Sequence, residues 1–178
     1  MIQRVTTKRQ LHQFIHYIKT LYHDCDAYTY PIFWSLKKEL TALVLKKQTY
    51  TALLSVDESG KINGRVLYTF AFDKRQKKQI CYFSFFDTIN DIQVAKDLFS
   101  YMETEMKKEN ICEMEGPFAP YDPDTRRGVL VDGYELDQTI FHSYNYAYYD
   151  TLLTEVGFNK KQDTLALNAK IDDTTLNK

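Results

Sequence analysis

The hydrophobic period of this chain changes from 3.6 to 2 near residue 48 and changes back near residue 90, which limits how the pieces can pack. Upstream, Leu11, Phe14, Ile15, Ile18, Leu21 and Tyr22 recur at helical spacing and predict an amphipathic helix over residues 8–24. Pro31 breaks the chain, and Leu40, Leu43 and Val44 mark a second helix over residues 36–46. Inside the period-2 window, residues 50–56 read as a strand and the run Asp57-Glu58-Ser59-Gly60 as a turn. Val66, Tyr68, Phe70 and Phe72 then alternate along a second strand. In a third strand, Ile80, Tyr82, Ser84 and Phe86 share one face, with Cys81, Phe83 and Phe85 on the other. Apolar groups on both faces place that strand centrally, with layers above and below.

A helix over residues 91–108 follows, striped by Ile92, Ala95, Leu98, Phe99, Met102 and Met106. Short strands are expected at 2–6, 111–114, 129–131 and 164–169, and a helix at 145–156. The order β-α-α-β-β-β-α-β-loop-α-β predicts an α/β fold, a central mixed sheet with helices on both faces. One domain is expected over residues 1–171, with a polar tail at 172–178.

The formal net charge of −1 argues against a duplex nucleic-acid partner, which calls for a basic excess. The basic run at 74–78 reads as a solvated hairpin tip. No stretch reaches the roughly 18–20 apolar residues of a membrane span, so no membrane partner and a cytoplasmic location are expected. Cys25, Cys81 and Cys112 are far apart and have no metal-site spacing, which fits reduced thiols. His12 and His16, at i and i+4, could share a metal, but His23 lies roughly 10 Å further along the helix. No carboxylate completes the set, so no metal site is expected.

Residues 116–158 hold four of the six glycines and three of the four prolines. Such a stretch is a set of turns. It ends in a tyrosine-rich helix closed by Gly157-Phe158, and a site is expected here and on the strands just before it.

The series CYFSFFD at 81–87, Gly116-Pro117, GVLVDGY at 128–134, Tyr144-Asn145-x-x-Tyr148-Tyr149 and Gly157-Phe158 resembles a bacterial branch of the GNAT superfamily of acyl-CoA-dependent N-acyltransferases. The resemblance covers about residues 66–169. It implies a GNAT-like fold, acetyl-CoA as co-substrate and a small-molecule or peptide amine as acceptor. The backbone of Phe85, Phe86 and Asp87 would then face the cofactor, and Gln93, Val94 and Ala95 would offer amides to its pyrophosphate at a helix N-terminus. Asn145 is a further cofactor-side candidate, with capping of the last helix as its structural role. Tyr148 or Tyr149 would supply the acid. Glu115 is the candidate base, beside Glu113 and Asp87.

Two departures from the GNAT pattern cut against cofactor binding. The phosphate loop here is Asp87-Thr-Ile-Asn-Asp-Ile-Gln-Val-Ala95, without glycine. Asn90 and Gln93 have the spacing of a capping box, with Asp91 at the first helical position. At roughly 4–6 Å a like charge costs a pyrophosphate about 2–4 kcal/mol unless a cation such as Lys96 compensates. In addition, Leu153 occupies the position where many members carry the acidic tyrosine. Two functions follow. One is acetyl-CoA-dependent N-acyl transfer. The other is a non-catalytic GNAT-like module that binds a ligand or a protein, its 14 tyrosines and 11 phenylalanines giving a sticky pocket or a homodimer surface. An enzyme should show a V-shaped gap between the strands at 82–87 and 111–115, and a closed gap favours the module.

Overall fold

A computed structural model describes residues 1–138 and 142–165. β1 (Ile2–Arg4), β2 (Thr51–Val56), β3 (Ile62–Asp73), β4 (Lys78–Thr88) and β5 (Met114–Glu115) form one sheet in the order β1-β2-β3-β4-β5. Every pairing is antiparallel except β4–β5. One face carries α1 (Lys8–Leu21) and α2 (Phe33–Leu40), and the other carries α3 (Ile92–Lys108) and α4 (Tyr148–Glu155). The mixed α/β architecture therefore stands as the period changes imply.

The alternation of apolar residues builds both layers. Leu53, Val66, Tyr68, Cys81 and Phe83 point to the α3 layer, with Leu98, Phe99 and Met102. Ala52, Leu54 and Leu67 point to the α1 layer, with Leu11, Phe14, Ile15 and Leu40. Full burial of each large side chain contributes about 1.5–3 kcal/mol. A capping box starts α1: Thr7 Oγ1 accepts the Gln10 amide at 3.2 Å, and Gln10 Oε1 accepts the Thr7 amide at 3.1 Å.

Several boundaries differ from expectation. α2 begins at Phe33, and residues Thr41–Lys46 continue it as a π-helical turn. β3 is the middle strand, although β4 is interior as predicted, lying between β3 and β5. Residues 129–131 form no strand. α4 begins only at Tyr148, with Ala147 at its N-cap position. Asn145 does not cap that helix: its Oδ1 accepts the Leu130 amide at 2.7 Å and its Nδ2 donates to the Leu130 carbonyl at 3.1 Å. One side chain thus supplies the two hydrogen bonds that a neighbouring strand would have given. The strand expected at 164–169 and the tail at 172–178 lie outside the described residues from 166 onward.

β4 does not keep its alternation. Opposite Arg65, Val66 and Leu67 of β3 stand Asp87, then Phe86 and Phe85 together, then Ser84. Two residues therefore face one, which defines a β-bulge, and Phe85 sits at φ 50°. The extra residue inverts the facing of all that follows. Phe86, expected opposite Phe83, joins it in the α3 layer, where Phe99 packs against both. Phe85, expected beside Phe83, instead lies over Phe14 in the α1 layer. Beyond the bulge, Asp87 meets Arg65 directly across the strand pair.

Candidate functional site

The bulge assembles a polar cluster inside the protein. Arg65 is 2% exposed and Asp87 8%. Arg65 Nε and Nη2 hold Asp87 Oδ2 at 2.7 and 2.6 Å, and Arg65 Nη1 donates to the Phe14 carbonyl of α1 at 2.6 Å. The guanidinium also lies over the rings of Phe14 and Phe85. Charges this deep persist only when paired and fully hydrogen-bonded. Asp87 Oδ1 accepts from Tyr22 Oη at 3.2 Å and faces Tyr149 Oη at 3.5 Å, the two hydroxyls being 3.2 Å apart. Burial first, then the charges of Tyr149 and Asp87 on Tyr22 and those of Asp87 and Tyr148 on Tyr149, raise both tyrosines well above their ordinary value. Both are therefore protonated near neutral pH and act as donors rather than bases.

The outer edge of β4 beyond the bulge is already hydrogen-bonded. The Thr88 amide donates to Tyr149 Oη at 3.1 Å, and Tyr148 Oη donates to the Thr88 carbonyl at 2.7 Å. The next corner is closed as well. Asp91, expected at the first helical position, is itself the N-cap of α3, and its Oδ1 accepts the Gln93 amide at 2.8 Å. Asn90 has no part in that cap, because Asp91 reaches the amide first. Gln93 Nε2 turns to Asp97, and Val94 and Ala95 bury their side chains in the α3 layer. A pyrophosphate at this corner would meet a carboxylate and would have to take an amide from it. The residues present therefore do not fit the pyrophosphate of acetyl-CoA.

The expected site residues are only partly brought together. Tyr148, Tyr149 and Asp87 converge with Thr88, and Phe85 and Phe86 flank them through the bulge. Glu115 stands apart. It pairs beside Tyr82, six residues from Thr88, or roughly 20 Å along a strand. Gln76 Nε2 and Lys161 Nζ bind its Oε1 at 2.8 and 2.5 Å. Burial pushes the Glu115 carboxyl up, but Lys161 and Gln76 outweigh it and hold it below the ordinary Glu value. This is the setting of a tethered carboxylate, not of a base poised near neutrality. Glu113 pairs with Lys78. Leu153, in the position of the absent tyrosine, is core.

The gap expected between β4 and β5 opens and then closes. Their pairing covers only Cys81–Met114 and Tyr82–Glu115. The Phe118 amide still reaches the Phe83 carbonyl at 2.6 Å. Gly116 permits that close approach, since a Cβ there would lie 2.5 Å from the Phe83 carbonyl oxygen. Beyond Phe83 the pairing ends, and Tyr149 and Tyr148 take up the backbone of β4 at Thr88. Tyr28, Tyr22, Tyr146 and Tyr148 stack in sequence at 4.0, 5.0 and 5.5 Å between ring centroids, joining the end of α1 to the start of α4.

Comparison with solved structures settles the architecture. A crystal structure of a probable acetyltransferase superimposes with a TM-score of 0.59 at 12% identity, covering 97% of this chain and 99% of that one. The chain has the GNAT fold. A predicted acetyltransferase of Clostridium acetobutylicum, solved with acetyl-CoA, superimposes with a TM-score of 0.58 at 13% identity, over 94% of this chain and 96% of that one. An aminoglycoside 6′-N-acetyltransferase of Acinetobacter baumannii matches at TM-score 0.57 and 10% identity, over 97% and 99%. In sequence, protein YghO of Escherichia coli K12 is 24% identical over 173 residues. That match takes in 93% of this chain and 43% of YghO, so the chain spans under half the length of that relative. No family profile matches. Among the described residues no helix is long and apolar enough to cross a membrane, and no three ligating side chains gather as a metal site.

Arg65 and Tyr22 were not among the expected site residues. The signal for Arg65 was a charge inside an otherwise apolar strand, with an acid at the end of its hairpin partner. Tyr22 reads from its spacing as one more residue of an apolar stripe.

Proposed function

We propose that this chain is a GNAT-fold domain that works by binding rather than by turning over acetyl-CoA. One observation carries the reading. The backbone groups at the β4–α3 corner are already held by Tyr149, Tyr148 and Asp91. An acyl-CoA would have to displace three hydrogen bonds, each worth about 0.5–1.5 kcal/mol net. It would also face the Asp91 carboxylate, at a further cost of about 2–4 kcal/mol. Isothermal titration calorimetry with acetyl-CoA tests this. No saturable heat is expected up to about 1 mM, and a Kd tighter than roughly 100 μM would overturn the proposal.

A second reading rests on the parting of β4 and β5 after Phe83. It is N-acyl transfer from acetyl-CoA to a small-molecule or peptide amine. On that reading Tyr149 holds at Oη the proton that the departing sulfur needs, and Asp87 and Tyr22 orient that hydroxyl. Amine-dependent turnover abolished by Tyr149→Phe, in a variant that stays folded, would favour it over the first.

A further inference from the structure

On the α1 side of the sheet a groove of about 300 Å3 lies between α1 and the turn that joins β2 to β3. Its walls include His12, His16, Tyr17, Thr20, Gly60 and Lys61, and no acidic side chain lines it. The nearby Asp57 carboxylate is engaged within its own turn, where Oδ1 accepts from Ser59 N, Ser59 Oγ and Lys61 N. The rings of His12 and His16 are 4.2 Å apart. His16 also stacks on Phe33 at 4.5 Å, and Lys19 Nζ lies 4.6 Å from the same ring. Burial, then the positive charges of His12, Lys19 and Lys37, lower the pKa of His16.

We infer that this groove binds an oxyanion, a phosphate group either free in solution or carried on a small molecule. The Lys61 ammonium supplies a charge-assisted donor, the two imidazoles supply ring N–H donors, and Thr20 adds a hydroxyl. A divalent cation is the other ligand that a His pair at i and i+4 suggests. Lys19, Lys37 and Lys61 repel a cation, and the groove lining holds no third ligating side chain. The groove also touches the closed β4–α3 corner. Tyr17 Oη donates to the Asn63 carbonyl, which accepts from Ile89 N and Thr88 Oγ1 as well. The inference is independent of whether acetyl-CoA is turned over.

The test follows the imidazole signals of His12, His16 and His23 by NMR during titration with sodium phosphate, against chloride at matched ionic strength. His12 and His16 should shift and saturate with a Kd of about 5 mM or tighter, while His23 stays still. Followed through the backbone amide signals of the groove residues, the variant His12→Gln/His16→Gln should weaken binding about tenfold or more, and Lys61→Ala about threefold, both with unchanged thermal midpoints. A second arm replaces phosphate with adenosine 5′-monophosphate. Shifts of His12 and His16 at lower concentration than phosphate needs would name a carried phosphate as the ligand, and no such gain would name the free ion. Shifts that never saturate, or that chloride reproduces, overturn the inference. So does zinc moving both imidazoles at micromolar concentration while phosphate does not.

Discussion

The two ends of β4 hold their carboxylates in opposite ways. At the Tyr82 end Glu115 meets Lys161 and Gln76, Glu113 meets Lys78, and Asp73 accepts from Tyr82 and from the amides of Arg75 and Gln76. These groups lie at or near the surface, where water can replace any partner. At the Thr88 end Asp87 is enclosed by Arg65, Tyr22 and Tyr149, three partners from three separate parts of the chain. A carboxylate near the end of a strand is therefore not by itself a catalytic sign. What separates the two ends is whether losing one partner leaves a charge stranded in the core.

The largest expected effect is at Arg65. Arg65→Met should lower unfolding stability in urea by about 3–5 kcal/mol, because Asp87 stays behind unpaired. The double variant Arg65→Met/Asp87→Leu should recover much of that loss, since two apolar groups leave nothing to desolvate. If the double variant is as unstable as the sum of the singles, the buried end of β4 is no more a coupled unit than the exposed end, and the contrast fails.

This contrast also marks what could be read from sequence. Helix and strand periods place the layers, because the apolar stripes of α1 and α3 and the faces of β2 and β3 are each buried against one partner, and burial repeats with the element's own period. The bulge at Phe85 breaks that logic. Nothing in the composition of CYFSFFD announces an extra residue, since both facings are aromatic and either register buries a phenylalanine. Asp87 was visible as a site candidate because its chain position was informative. Its partners Arg65 and Tyr22 come from other elements, 22 and 65 residues away, and only the fold shows the meeting. The cap of α3 was misplaced by a single residue for a similar reason. Asn90 and Asp91 are both good caps, and the choice between them is made where β4 leaves the sheet.

A middle-sized effect sharpens the comparison at the closed edge. Tyr149→Phe removes the acceptor of the Thr88 amide and one neighbour of Asp87, and should cost about 1–3 kcal/mol through the buried N–H left unpaired. Tyr148→Phe frees only the Thr88 carbonyl and should cost about 0.5–1.5 kcal/mol. Thermal melts of the two variants should preserve that order. A larger loss from Tyr148 would mean that the carbonyl, not the amide, anchors α4 to the sheet.

The smallest effect belongs to the open end. Glu115→Gln should change stability by less than about 1 kcal/mol at pH 7, as for other solvent-reached ion pairs. Its sign against pH follows from the lowered carboxyl. A group whose folded pKa lies below its unfolded value stabilises the fold at pH above the unfolded value, and that contribution disappears as pH falls through the folded value. The small advantage of the native protein over Glu115→Gln should thus be complete at neutral pH. It should shrink below about pH 4.3, the ordinary Glu value, and vanish once Glu115 is protonated. Thermal midpoints of both proteins at pH 7 and near pH 3 measure it. An advantage that is large at pH 7, or that persists undiminished in acid, would mean that Glu115 is held by something other than its charge. The Tyr82 end would then hold its carboxylate as tightly as the Thr88 end does.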